Sequence, residues 1–171
     1  MLLSSCENGK PLDQFYNEYL NLGYTDQSVE LGKNKDVSVR LLNQDMIVAQ
    51  EYANGQLKNY KQLKNAKERY SNQTRFVLSF EGLDSLDEKA LSVQISSSLE
   101  LIEPSLFIKE PKNPITSELV FIAAFSNLSK EREFTLSILL NEKSHSIHYP
   151  VYALEKLPVL ELEGLVLDRE G

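Results

Sequence analysis

Two histidines, His145 and His148, are the only ones in the chain, and their His-x-x-His spacing is the first arrangement that invites chemistry. Around them the sequence alternates as a strand does, and in a strand residues three apart point to opposite faces. The two imidazoles therefore do not converge on one ion. A zinc site also needs further ligands and an outer layer of hydrogen bonds, which nothing nearby supplies. The segment Glu81-Gly-Leu-Asp84-Ser-Leu-Asp87-Glu88 is rich enough in carboxylates to suggest calcium, but its spacing is not that of an EF-hand loop, which needs a glutamate at the twelfth position. It reads as a solvated turn. Neither arrangement predicts a metal or another cofactor.

Catalytic signatures are missing as well. The sequence holds no Gly-x-Gly-x-x-Gly, phosphate-binding loop, nucleophile elbow or His-Glu-x-x-His. A serine nucleophile would need a positioned base, and the histidines give no sign of being one. Carboxylates distant in sequence could still meet in the fold, so a small carboxylate-dependent hydrolase stands as the alternative to a chain without catalysis.

The strongest positive feature is basic. Between Gln56 and Tyr70 stand Lys58, Lys61, Lys64, Lys67 and Arg69 against Glu68, a local charge of +4 in a chain whose formal charge is −7. The lysines step by three, which turns each about 60° back around a helix and spreads them broadly. They read first as a solvated face, and second as a docking face for an acidic partner or anionic lipid. Tyr52, Tyr60 and Tyr70 are expected to pack, with their hydroxyls wet. The acidic remainder argues against a nucleic-acid binder, which needs clustered cations to neutralise phosphates. The Asn-x-Ser/Thr triplets at Asn72 and Asn127 are too common by chance to indicate glycosylation.

At the N-terminus, Leu3-Ser4-Ser5-Cys6 resembles the lipobox of a bacterial lipoprotein. The resemblance implies acylation of Cys6, a signal remnant and tether over residues 1–10, with Glu7 to Lys10 as the tether, and a place in the bacterial cell envelope, with another envelope protein as partner. A full signal carries charged and apolar regions ahead of its lipobox, so the likeness also implies a coding start upstream of Met1. No apolar run approaches the eighteen or so residues of a transmembrane helix, so the expected attachment is by lipid alone. With Cys6 the only cysteine, no internal disulfide forms. A cytoplasmic interaction domain, with an unmodified Cys6, is the remaining alternative.

The elements that must carry these residues follow from periodicity. With 171 residues, 42% hydrophobic and 25% charged, the chain is long enough for one domain with its own core, over residues 11–171. Leu12, Phe15, Tyr19 and Leu22 recur at helical spacing between Pro11 and Gly23, predicting a short helix over 11–22. Ala49, Ala53, Leu57, Tyr60 and Leu63 predict one longer helix over 46–70, capped by Asn43 or Asp45 and weakened by Gly55. Elsewhere the period is two: 36–42, 74–81, 91–96, a short strand at 106–108, and then 118–126, 132–140 and 145–153 as a three-stranded meander. Glu118–Ser126, apolar on both faces, suits a central strand covered on each side. Leu160 and Leu162 suggest a last strand. Many short strands, each with an apolar face to bury, predict a mainly β, antiparallel β-sandwich, immunoglobulin-like or similar, with a short N-terminal helix and one longer helix.

Overall fold

Alternation of large apolar residues with polar ones forces each strand of this chain to bury one face, and two layers result. The computed structural model describes residues 12–33, 35–83, 86, 88–98, 100–111, 118–130, 132–162 and 165. A helix, α1 (Leu12–Leu20), leads into β1 (Asp26–Gly32) and β2 (Lys35–Leu42). Two helices follow, α2 (Gln44–Ala53) and α3 (Tyr60–Arg69), then β3 (Gln73–Glu81), β4 (Leu91–Ser96), β5 (Leu101–Ile102), β6 (Leu106–Lys109), β7 (Leu119–Ser126), β8 (Phe134–Leu140) and β9 (Lys143–Tyr149). The large sheet runs β1-β2-β3-β7-β6 and the small sheet β5-β4-β8-β9. Every pairing is antiparallel. The fold is a β-sandwich with helices, as the alternation predicts.

An aromatic cluster joins the layers. Phe76 of the large sheet meets Phe134 and Tyr149 of the small sheet edge-on at 6.2 and 5.6 Å, and its neighbour Phe125 at 5.7 Å. Phe134 stacks on Tyr149 at 4.8 Å. Each such pair contributes about 0.5–1.5 kcal/mol beyond the area it buries. The helices close one end. Phe15 and Tyr19 of α1 are buried, and Tyr19 donates its hydroxyl to the Leu41 carbonyl while accepting from the Asn43 N–H.

Four expectations need correction. The longer helix over 46–70 is two helices. Gly55 takes φ +74°, a left-handed conformation that ends a helix, and Asn59 then caps a new one by accepting from the Gln62 N–H. The meander is broken, because β7 pairs with β3 and β6 while β8 pairs with β4 and β9. The chain changes layer between β7 and β8, and Phe121 and Phe125 are buried in the core. The last of these strands stops at Tyr149, before Pro150, which has no N–H to give a ladder. Leu160 and Leu162 form no strand: they are buried beside the helices, where the Leu160 carbonyl accepts from Lys67 Nζ at 3.1 Å. Two strands were not foreseen, the two-residue β5 and the longer β1. The pattern of β1 is half-buried and exposed by turns, with a charged or small residue at most positions, because it is an edge strand.

Candidate functional site

The lysines of the basic stretch do not share one environment. Lys58 precedes α3 and is exposed, as are Lys61 and Lys64 on the helix. Lys67 turns inward instead. Its Nζ lies 2.7 Å from Oδ1 of Asp45, which is 3% exposed and stands in the first turn of α2. The contact is an ion pair by distance, although the angle of approach is short of a directed hydrogen bond. Glu68, four residues on from Lys64, shares the exposed face and dilutes its charge. Tyr52 and Tyr70 are buried and Tyr60 is 43% exposed. Tyr52 donates its hydroxyl to the Leu165 carbonyl, and Tyr70 donates to Glu51.

The histidines lie on β9, directly opposite different partners. His145 faces Ile138 and points the same way as the buried Ile147 and Tyr149, while His148 faces Thr135 and is exposed. His148 Nδ1 is 3.3 Å from the Thr135 hydroxyl and Nε2 is 3.7 Å from Glu133. Among the described residues no group of three or more His, Cys, Asp or Glu side chains converges to hold a metal. Cys6, Asp84, Asp87 and the Glu88 side chain lie outside what is described.

A cleft of about 200 Å³ opens where α2, β3, the β7–β8 connection and the segment after β9 meet, and both Asp45 and Glu155 line it. Two carboxylates there raise the possibility of acid–base work, which needs a free pair in distinct environments. Asp45 is engaged by Lys67, so its carboxylate fastens α3 to α2.

The outer face of the large sheet holds a different arrangement, which register alone assembles. Directly opposite one another run Val77, Ile122 and Ile108, and beside them Ala124 faces Leu106 and Ser79 faces Val120. Leu106 and Ile108 are 44% and 41% exposed, and Val77, Val120 and Ile122 are half-buried. The expectation that β7 is central holds, but its second apolar face looks outward. One end of the same face is acidic: Glu30 stands opposite Asp36, and Asp36 opposite Glu81. Glu118, just before Leu119, and Glu110, whose N–H donates to the Val120 carbonyl, continue that end across β7 and β6. Like charges directly opposite on neighbouring strands are destabilising. The arginines of this face are engaged elsewhere, Arg40 on Asp26 at 2.7 Å and Arg75 over the Tyr70 ring at 4.8 Å.

The outer face of the small sheet is more polar. Its rows are Ser92–Leu139–Ser144, Gln94–Ser137–Ser146 and Leu101–Ser96–Thr135–His148, mostly small hydroxyls that separate two exposed leucines, Leu101 and Leu139. Sequence reasoning missed the contrast, because a face is built from strands far apart in the chain. The one local signal was the run Glu118–Ser126, apolar at both parities. No protein-family model, curated protein or solved structure matches the chain.

Proposed function

We propose that this chain is a non-enzymatic binding module that docks another protein on the outer face of its large sheet, and that it works at a bacterial cell envelope as a lipoprotein acylated at Cys6. The observation that carries the docking is the contiguous apolar surface of Leu106, Ile108, Val120 and Ile122 on a sheet face, where polar residues are the rule for a solvated layer. Leu3-Ser4-Ser5-Cys6 supports the anchoring. More than one acyl chain holds a protein stably, at about 0.8 kcal/mol per buried methylene, so attachment needs no apolar face and leaves this one for a partner.

Expression in a bacterium from a reading frame extended upstream of Met1, with a photo-crosslinking residue at Ile108 or at Ser137 and a clickable fatty acid in the medium, tests both parts. Crosslinks to a discrete envelope protein from position 108 and not from 137, with fatty-acid label lost on Cys6→Ser, are the expected result. Equal crosslinking from both positions overturns the docking face, and an unlabelled chain with Cys6 unmodified overturns the anchor.

A further inference from the structure

We infer that the partner presents a cationic amphipathic segment, its apolar side chains on Leu106, Ile108, Val120 and Ile122 and its lysines or arginines on the row Glu30–Asp36–Glu81. The inference rests on the reading of the outer face as the docking surface and adds the chemistry of what docks there. Three carboxylates in direct cross-strand register repel one another, and none of the ion pairs among the described residues involves them. Cations brought by a partner relieve that repulsion in the complex alone, which turns a cost in the free protein into affinity and a faster encounter. The acidic end borders the apolar surface directly, since Val120 and its cross-strand neighbour Ser79 form the row next to that of Asp36 and Glu81, so one segment reaches both.

The edge strand argues for contact through side chains. Pro104 and Pro111 flank β6, so a partner that tried to extend the sheet would meet only a short ladder. A helix or strand laid across the face meets no such limit. The basic face of α3 in a second copy has the right charge, but Glu68 interrupts it and its exposed apolar content is small, so a separate cationic partner fits better.

Fluorescence anisotropy with the full chain tests this, the probe being a synthetic helix-forming peptide of leucine and lysine and its leucine–glutamate counterpart. The lysine peptide is expected to bind at least about tenfold more tightly than the glutamate peptide, and to weaken as salt screens the contact. Combining Glu30→Gln, Asp36→Asn and Glu81→Gln, which removes repulsion and so leaves the fold intact, should weaken it about tenfold. The same charge change at Glu100, Glu142 and Glu161 should cost less than about twofold, since distant exposed charges are screened. Ile108→Ser with Ile122→Ser should weaken both peptides. If the two peptides bind alike, or the row variant matches its control, the cationic partner is wrong although the docking face survives. If the isoleucine variant binds as the parent does, the docking face itself fails. Sedimentation showing a dimer that Ile108→Ser dissociates would give the face to a second copy and overturn the inference.

Discussion

Lys67 crosses from α3 to Asp45 at the start of α2, its Nζ 2.7 Å from the carboxylate, and no other ion pair among the described residues is as deeply buried. The pair fastens the helices to each other, and through the Leu160 carbonyl it also holds the segment that follows the last strand. Lys67→Met should therefore destabilise the protein by about 3–5 kcal/mol, because an uncompensated carboxylate is left in a buried place. Adding Asp45→Asn should recover much of that loss. Chemical denaturation of the parent, both single variants and the double variant gives the coupling, and a coupling near zero would mean that the contact holds nothing together.

Lys67 also marks how far the basic stretch could be read. Its composition was plain in the sequence, but Lys67 differs from Lys61 and Lys64 only in which way its helix turns, and that depends on a docking partner from another element. Gly55 was visible too, as a weakness within one helix. Its effect is stronger, since φ +74° and the cap at Asn59 together end α2 and begin α3. The sandwich itself was legible because period-two alternation is local, whereas the partition of β7 and β8 between layers is decided by contacts of long sequence separation. For the same reason the apolar surface and the acidic row could not be assembled in advance: each needs the register of strands from both halves of the chain.

Gly55→Ala measures the break directly. An added Cβ would meet nothing within 4 Å, so the substitution acts through backbone conformation and not through a clash. The expected loss is about 1 kcal/mol, and Gly55→Asn should lose less, because asparagine tolerates the left-handed region. Equal stability of all three proteins in urea would show that the turn is not held in that conformation.

Alkaline pH should weaken the fold through two tyrosines. Burial pushes the hydroxyls of Tyr19 and Tyr149 well above the ordinary value of 10.0, and for Tyr149 the neighbouring Asp26 carboxylate adds to the rise. The Tyr149 hydroxyl has no hydrogen-bond partner among the described residues to offset the loss of water. Raised folded values mean that the native state keeps protons that the unfolded chain gives up. Stability from this source is complete below about pH 10 and declines as pH rises beyond it. Urea midpoints at about pH 8 and about pH 11, with tyrosinate absorbance followed in parallel, check the sign, and Tyr149→Phe should reduce the decline.

The two layers should prove equally necessary. Phe121 of the large sheet is 1% exposed and Ile138 of the small sheet 0%, and each faces the core between the sheets. Phe121→Ala is expected to cost about 3–5 kcal/mol and Ile138→Ala about 2–5 kcal/mol, the transfer and cavity terms acting together. A loss confined to one of them would mean that the other layer does not share the same core.

Neighbouring residues of β6 offer the sharpest contrast, because strand alternation sends them to opposite faces. Phe107 stacks on Phe121 at 5.6 Å and is half-buried on the core side, whereas Ile108 lies on the outer face and is 41% exposed. Phe107→Ala should therefore destabilise by about 3 kcal/mol, at the lower end for a large core deletion since the ring is not fully enclosed. Ile108→Thr keeps the branched Cβ that suits a strand and removes apolar surface that water already reaches, so its expected effect is within about 0.5 kcal/mol. Thermal and urea unfolding of the two variants decide between two explanations of the outer face. A large loss at Ile108 would mean that its side chain is retained for the fold, and the apolar surface would need no partner to account for it. A loss at Phe107 alone would leave Ile108 dispensable for stability, which is the condition under which an exposed isoleucine is explained by what it binds.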